Sequence, residues 1–79
     1  MLPFCPQKPS ASERYERLIR YMAQRRQALG ISSRELDLHI GCAHGLVSKW
    51  ECGMRKPSAW NFACWMDALD VDVELTPQP

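Results

Sequence analysis

No stretch of this chain is apolar for long enough to serve as a signal core or a membrane span of about 18 residues. After Leu2, Pro3, Phe4 and Cys5 the sequence turns polar. A soluble, cytoplasmic protein without membrane contact is the expectation. Glycine is sparse, four residues with no glycine-rich run, so no backbone loop of the phosphate-cradling kind exists. Ser, His and Asp occur, but no nucleophile stands in recognisable spacing with a base, and an enzyme is not expected. The four cysteines, Cys5, Cys42, Cys52 and Cys64, show no CxxC spacing, which favours reduced thiols over a disulfide frame. Zinc wants ligand pairs on facing turns. His39-x2-Cys42 is the one near match, and Cys42 falls at an inward position while His44 falls at an outward one. No metal and no cofactor are expected.

Charge of one sign is also missing, since the formal net charge is only +1. The distribution is lopsided, however. Residues 1–30 carry six basic and two acidic side chains, residues 31–57 four and three, and residues 58–79 four acids and no base. A binding footprint depends on the face presented rather than on the total, so a basic front with an acidic tail is compatible with phosphate binding. Ordinary solvated charge is the alternative.

What remains is enough for one domain with a single modest core. Pro3, Pro6 and Pro9 forbid a helix at the start, which suggests an extended or disordered arm over residues 1–11. A first helix is expected from a cap at Ser12, with Tyr15, Leu18, Ile19, Met22 and Leu29 recurring at helical spacing up to Gly30. Ser32-Ser33-Arg34-Glu35 is a capping-box pattern that starts a second helix near Ser33, with Leu36 and Ile40 inward and Gly41 at its end. A third helix is expected from about Ala43 to Cys52, with Val47 and Trp50 inward, and a fourth from Pro57-Ser58 to Asp70, with Phe62, Trp65, Met66 and Leu69 on one face. Val71, Val73 and Leu75 then alternate with Asp72, Glu74 and Thr76. That period of two argues for a short strand over 71–79, whose economical partner is a second copy across a two-fold axis. A frayed tail or an added helical turn is the alternative.

Two short helices joined by a glycine turn make a helix-turn-helix arrangement. From about Leu18 to Leu69 the chain resembles the lambda-repressor-like (Cro-type) helix-turn-helix family, and residues 30–58, "GISSRELDLHIGCAHGLVSKWECGMRKPS", follow its pattern without insertion or deletion. The run Glu51-Cys52-Gly53-Met54-Arg55-Lys56-Pro57-Ser58 is the most telling part, because a helix cap, a basic loop and a new helix start coincide at family spacing. The resemblance implies an all-α, four-helix DNA-binding regulator over residues 12–70, similar to phage repressors. The ending "ALDVDVELTP" also resembles small antitoxin regulators that dimerise through such a tail.

The resemblance further implies roles. His44, Gly45, Leu46, Ser48 and Lys49 would meet base edges in the major groove. Ser33, Arg34, Arg25, Arg55 and Lys56 would touch phosphates. Arg26 would pair with Glu51 as a structural ion pair, and Val71, Val73 and Leu75 would serve the dimer. The partner would be double-stranded DNA carrying an inverted repeat. A protein-interaction module on the same fold, partner to a toxin or another regulator, is the rival reading.

One departure stands out. Where the family carries a small alanine after the leucine of the second helix, this chain has Asp37, and Ala43 replaces the usual cap of the third helix. A buried carboxylate is costly unless hydrogen-bonded. Turning it toward the free N–H groups that begin the third helix would satisfy both.

Overall fold

The computed structural model describes residues 10–77, so residues 1–9, nearly all of the expected arm, lie outside the described residues. Four helices follow in order: α1 (Ala11–Ala28), α2 (Ser33–Ile40), α3 (Leu46–Cys52) and α4 (Ala59–Ala68). No strand forms among the described residues. Helix α2 packs against both α3 and α4, and α1 packs against α3.

Helix α1 starts earlier than its apolar pattern suggests. Ser10, not Ser12, is the cap: its Oγ accepts from the Glu13 N–H at 3.1 Å, and Glu13 Oε1 accepts from the Ser10 N–H at 2.8 Å. Of these two serines, only Ser10 stands three residues before a carboxylate, which is what a capping box needs. Ser32 and Glu35 repeat the device at α2, at 3.0 and 2.9 Å. Backbone and side-chain hydrogen bonds from each serine hold the Glu13 and Glu35 carboxyls below the usual range. The two caps therefore stabilise the fold above the unfolded-state pKa of a glutamate and fade as pH falls through the lowered one. At α4, Ser58 caps alone, accepting from the Asn61 N–H at 3.1 Å.

Ile19, Met22, Leu36, Val47, Trp50, Trp65 and Leu69 form the core. Trp50 and Trp65 meet at its centre, 5.2 Å between ring centroids, and Phe62 closes edge-on against Trp65 at 5.8 Å. Large rings fill much of an interior that small aliphatic side chains alone would leave thin. Leu18 and Leu29 do not join, remaining 42% and 44% exposed. The neighbour of α1 is α3, so a narrow stripe through Tyr15, Ile19 and Met22 is covered, and Leu29 sits past the last helical turn.

Helix α3 also begins later than expected, at Leu46 rather than Ala43. Gly45 holds φ +81°, which a right-handed helix cannot contain, and Ala43 to Leu46 form a turn closed by a 3.1 Å hydrogen bond. At the far end of α4, Asp70 adopts φ +55° in the place a glycine usually takes, which Asp tolerates better than most residues. Its N–H donates to the Asp67 carbonyl and the Val71 N–H to the Met66 carbonyl, and Val71 folds back onto the core. Beyond Val71 the tail is irregular, with Val73 and Leu75 exposed. Its apolar alternation has no strand beside it within the described chain.

The joint between α2 and α3 is built on Asp37, which is 1% exposed. Its carbonyl accepts from the Gly41 and Cys42 N–H groups at 2.9 and 3.1 Å, ending α2. Its carboxylate accepts from the Gly45 N–H at 2.8 Å and the Val47 N–H at 2.9 Å, starting α3. The Cys42 thiol donates to it as well, at 3.6 Å. One residue thus closes one helix and opens the next, and the carboxylate turns toward α3 as its otherwise costly placement requires. Removing it leaves two N–H groups without their acceptor. Asp37→Ala should lower stability by about 3 kcal/mol, a fall in Tm of roughly 10 °C or more for a domain of this size. An unchanged or raised Tm in thermal unfolding would contradict this role.

Candidate nucleic-acid interface

Helix α3 divides its side chains among three directions. Val47 and Trp50 point into the core, Glu51 points sideways to α1, and Ser48, Lys49 and Cys52 are exposed. Ser48 and Cys52 are four apart and Lys49 and Cys52 three apart, so the three share one outward stripe. Cys52 was not among the residues expected there. Its position four after Ser48 is the signal that could have found it. Its thiol donates to the Lys49 carbonyl at 3.6 Å within the last turn.

The helix is held at both ends and on one flank. Asp37 fixes its start, and at its end the Met54 and Arg55 N–H groups donate to the Lys49 carbonyl at 3.0 and 3.3 Å. On the flank, Arg26 clasps Glu51 with two parallel hydrogen bonds, Nε to Oε2 at 2.7 Å and Nη2 to Oε1 at 3.0 Å. Its Nη1 also donates to the Ile31 carbonyl at 2.8 Å, joining the α1–α2 turn to the pair. The Glu51 hydrogen bond pushes the guanidinium pKa up, against the lesser opposing effect of burial. Forked pairing of this kind fixes orientation as well as distance.

Of the five residues expected at base edges, Ser48 and Lys49 lie on the exposed stripe. His44 is exposed but sits in the turn before α3, not on the helix. Leu46 is half-buried and packs against the core. Gly45 is explained by its backbone: apart from its chain neighbours no atom lies within 4 Å of where a Cβ would be, so the requirement for glycine is the positive φ, not close packing.

Of the residues expected at phosphates, Ser33 and Arg34 occupy the first turn of α2, the first half-buried and the second exposed. Arg55 and Lys56 are exposed in the loop after α3, and the Lys56 ammonium rests over the Tyr15 ring, 5.6 Å from its centroid. Arg25 goes elsewhere. Its Nε donates to the Leu69 carbonyl at 3.0 Å, so it caps the C-terminal end of α4 rather than lying beside α3. Because Arg26 neutralises Glu51, the outward side of α3 and its loop are left with Lys49, Arg55 and Lys56 as their charges. The acids Asp67, Asp70, Asp72 and Glu74 belong to the second half of α4 and the tail.

A different face carries the apolar surface. Trp60, 74% exposed, lines a shallow α2–α4 groove with His39, Ile40, Cys64 and Asp67, and Leu38, 66% exposed, lines another with His39 and Ala68. Cys42 is half-buried against Asp37, and burial together with that carboxylate pushes its thiol pKa up. Among the described residues no three of His, Cys, Asp and Glu converge as metal ligands do. None of their helices is long and apolar enough to cross a membrane. Comparison of the chain with protein-family models, with curated proteins and with solved structures gives no match.

The Arg26–Glu51 clasp makes a direct prediction. A double-mutant cycle with Arg26→Met and Glu51→Gln should return a coupling of about 1–3 kcal/mol in chemical denaturation. Additivity of the two single changes would mean that the pair does not hold α3 to α1.

Proposed function

We propose that this chain is a sequence-specific regulator of transcription, in the manner of a repressor, that binds double-stranded DNA by laying α3 in the major groove. In this reading α2, its turn and α3 form the helix-turn-helix of a lambda-repressor-like domain. The observation that carries it is the outward stripe of α3. Polar and cationic side chains with no role in the fold stand on a short helix that is locked at its start by Asp37 and on its flank by Arg26. Such rigidity is what discrimination between base edges requires. Lys49 suits guanine O6 and N7, Ser48 can donate or accept, and His44 reaches the groove from the turn ahead of the helix. Ser33, Arg34, Arg55 and Lys56 are the phosphate contacts that orient the domain.

The partner is an inverted repeat read by a homodimer, with half-sites about one helical turn apart. Val73 and Leu75, exposed on an acidic tail, supply the apolar row for pairing with a second copy, while Val71 serves its own core. Localisation follows from the ligand and is cytoplasmic. The exposed Leu38 and Trp60 favour a second reading, in which the α2–α4 face binds a protein partner and DNA binding is weak.

Selection of bound duplexes from a random library at moderate salt separates the two. An enriched inverted repeat is the expected result, and Lys49→Glu should weaken binding to it at least about tenfold while leaving Tm unchanged. A folded protein that enriches no sequence would overturn the DNA-reading account in favour of the protein-binding one.

A further inference from the structure

Arg17 and Arg20 of α1 have so far been given no role in the interface. Building on the DNA-binding reading, we propose that Arg20 is a phosphate contact that carries the interface from α3 onto α1, and that Arg17 is not. Arg20 lines the groove between α1 and α3, together with Glu16 on its own helix and Cys52 and Gly53 across from it. Cys52 also belongs to the outward stripe of α3, so this groove opens onto the reading face. A neighbouring groove shares Tyr15, Glu16 and Gly53 and adds Lys56, whose ammonium already rests over the Tyr15 ring. Arg20 and Lys56 therefore flank one stretch of α1 at the place where α3 ends and the basic loop begins.

Arg20 is exposed and makes no ion pair or hydrogen bond among the described residues. Of the two carboxylates in its groove, Glu51 is consumed by Arg26, and Glu16 is the single opposing charge. A guanidinium so placed, with its donors free, suits the phosphodiester backbone, which it contacts without reading sequence. Arg17 is exposed as well but lines neither groove.

Wild type, Arg20→Gln, Arg20→Lys and Arg17→Gln, each shown to be folded by its melting transition, are titrated against an enriched duplex and a random-sequence duplex over a series of salt concentrations. Arg20→Gln should reduce the magnitude of the slope of log K against log salt by about 0.9 and weaken both duplexes by the same factor. Arg20→Lys and Arg17→Gln should keep the wild-type slope. A wild-type slope in Arg20→Gln would overturn the proposal, as would equal losses in Arg17→Gln and Arg20→Gln, which would reveal only a net-charge effect. Either result leaves the DNA-binding reading standing, whereas a wild type that binds neither duplex sinks both.

Discussion

The carboxylate of Asp37 is the constraint from which the rest of this small domain follows. A charge at 1% exposure is tolerable only if the protein supplies hydrogen bonds in place of water. Here the donors are the Gly45 and Val47 N–H groups that begin α3. The angle between α2 and α3 is thereby written into the geometry of one side chain, with Gly41 and Gly45 providing the two left-handed turns that let the chain come back to it. Because the cap comes from the preceding helix, the residues just ahead of α3 are released from capping, and His44 stays exposed in the turn before the helix.

With α3 fixed in this way, its seven residues can be divided cleanly among packing, clamping and presentation. Val47 and Trp50 contribute to a core centred on two tryptophans, and Glu51 is bound to Arg26. The clamp acts on charge as well as on position. A free Glu51 would oppose Lys49 and the following loop, and its pairing leaves that side cationic. The acids that return the net charge to +1 lie later in the chain, so the small total conceals a separation of sign along the fold.

Much of this was legible in the residues. The Ser32–Glu35 capping box, the opening of α4 at Pro57-Ser58, the glycine end of α2 and the inward Leu36, Val47, Trp50 and Trp65 are local patterns whose physics is complete within a few positions. Asp37 was legible for another reason: a carboxylate at an inward position demands donors, and the uncapped start of the next helix offered them. The Ser10 box was present in the sequence and was masked by the more conspicuous Ser12 beside the apolar pattern. What could not be read depends on distant partners or on the sign of a torsion. Composition does not reveal that Gly45 has positive φ, and α3 shortens by a turn as a result. Arg25 caps a carbonyl 44 residues away, and Leu18 is exposed because α1 is covered along a narrow stripe. The alternating tail obeys the strand pattern without a strand to join in its own chain.

The most direct test of the whole account is residue-resolved mapping of backbone amide shifts while a short duplex is added to isotope-labelled protein. The account predicts that the shifts concentrate on His44, Ser48, Lys49, Cys52, Arg55 and Lys56, with the Gly45 and Val47 amides still held by Asp37. Shifts gathered instead around Leu38, His39, Trp60 and Cys64, or none at all, would contradict it.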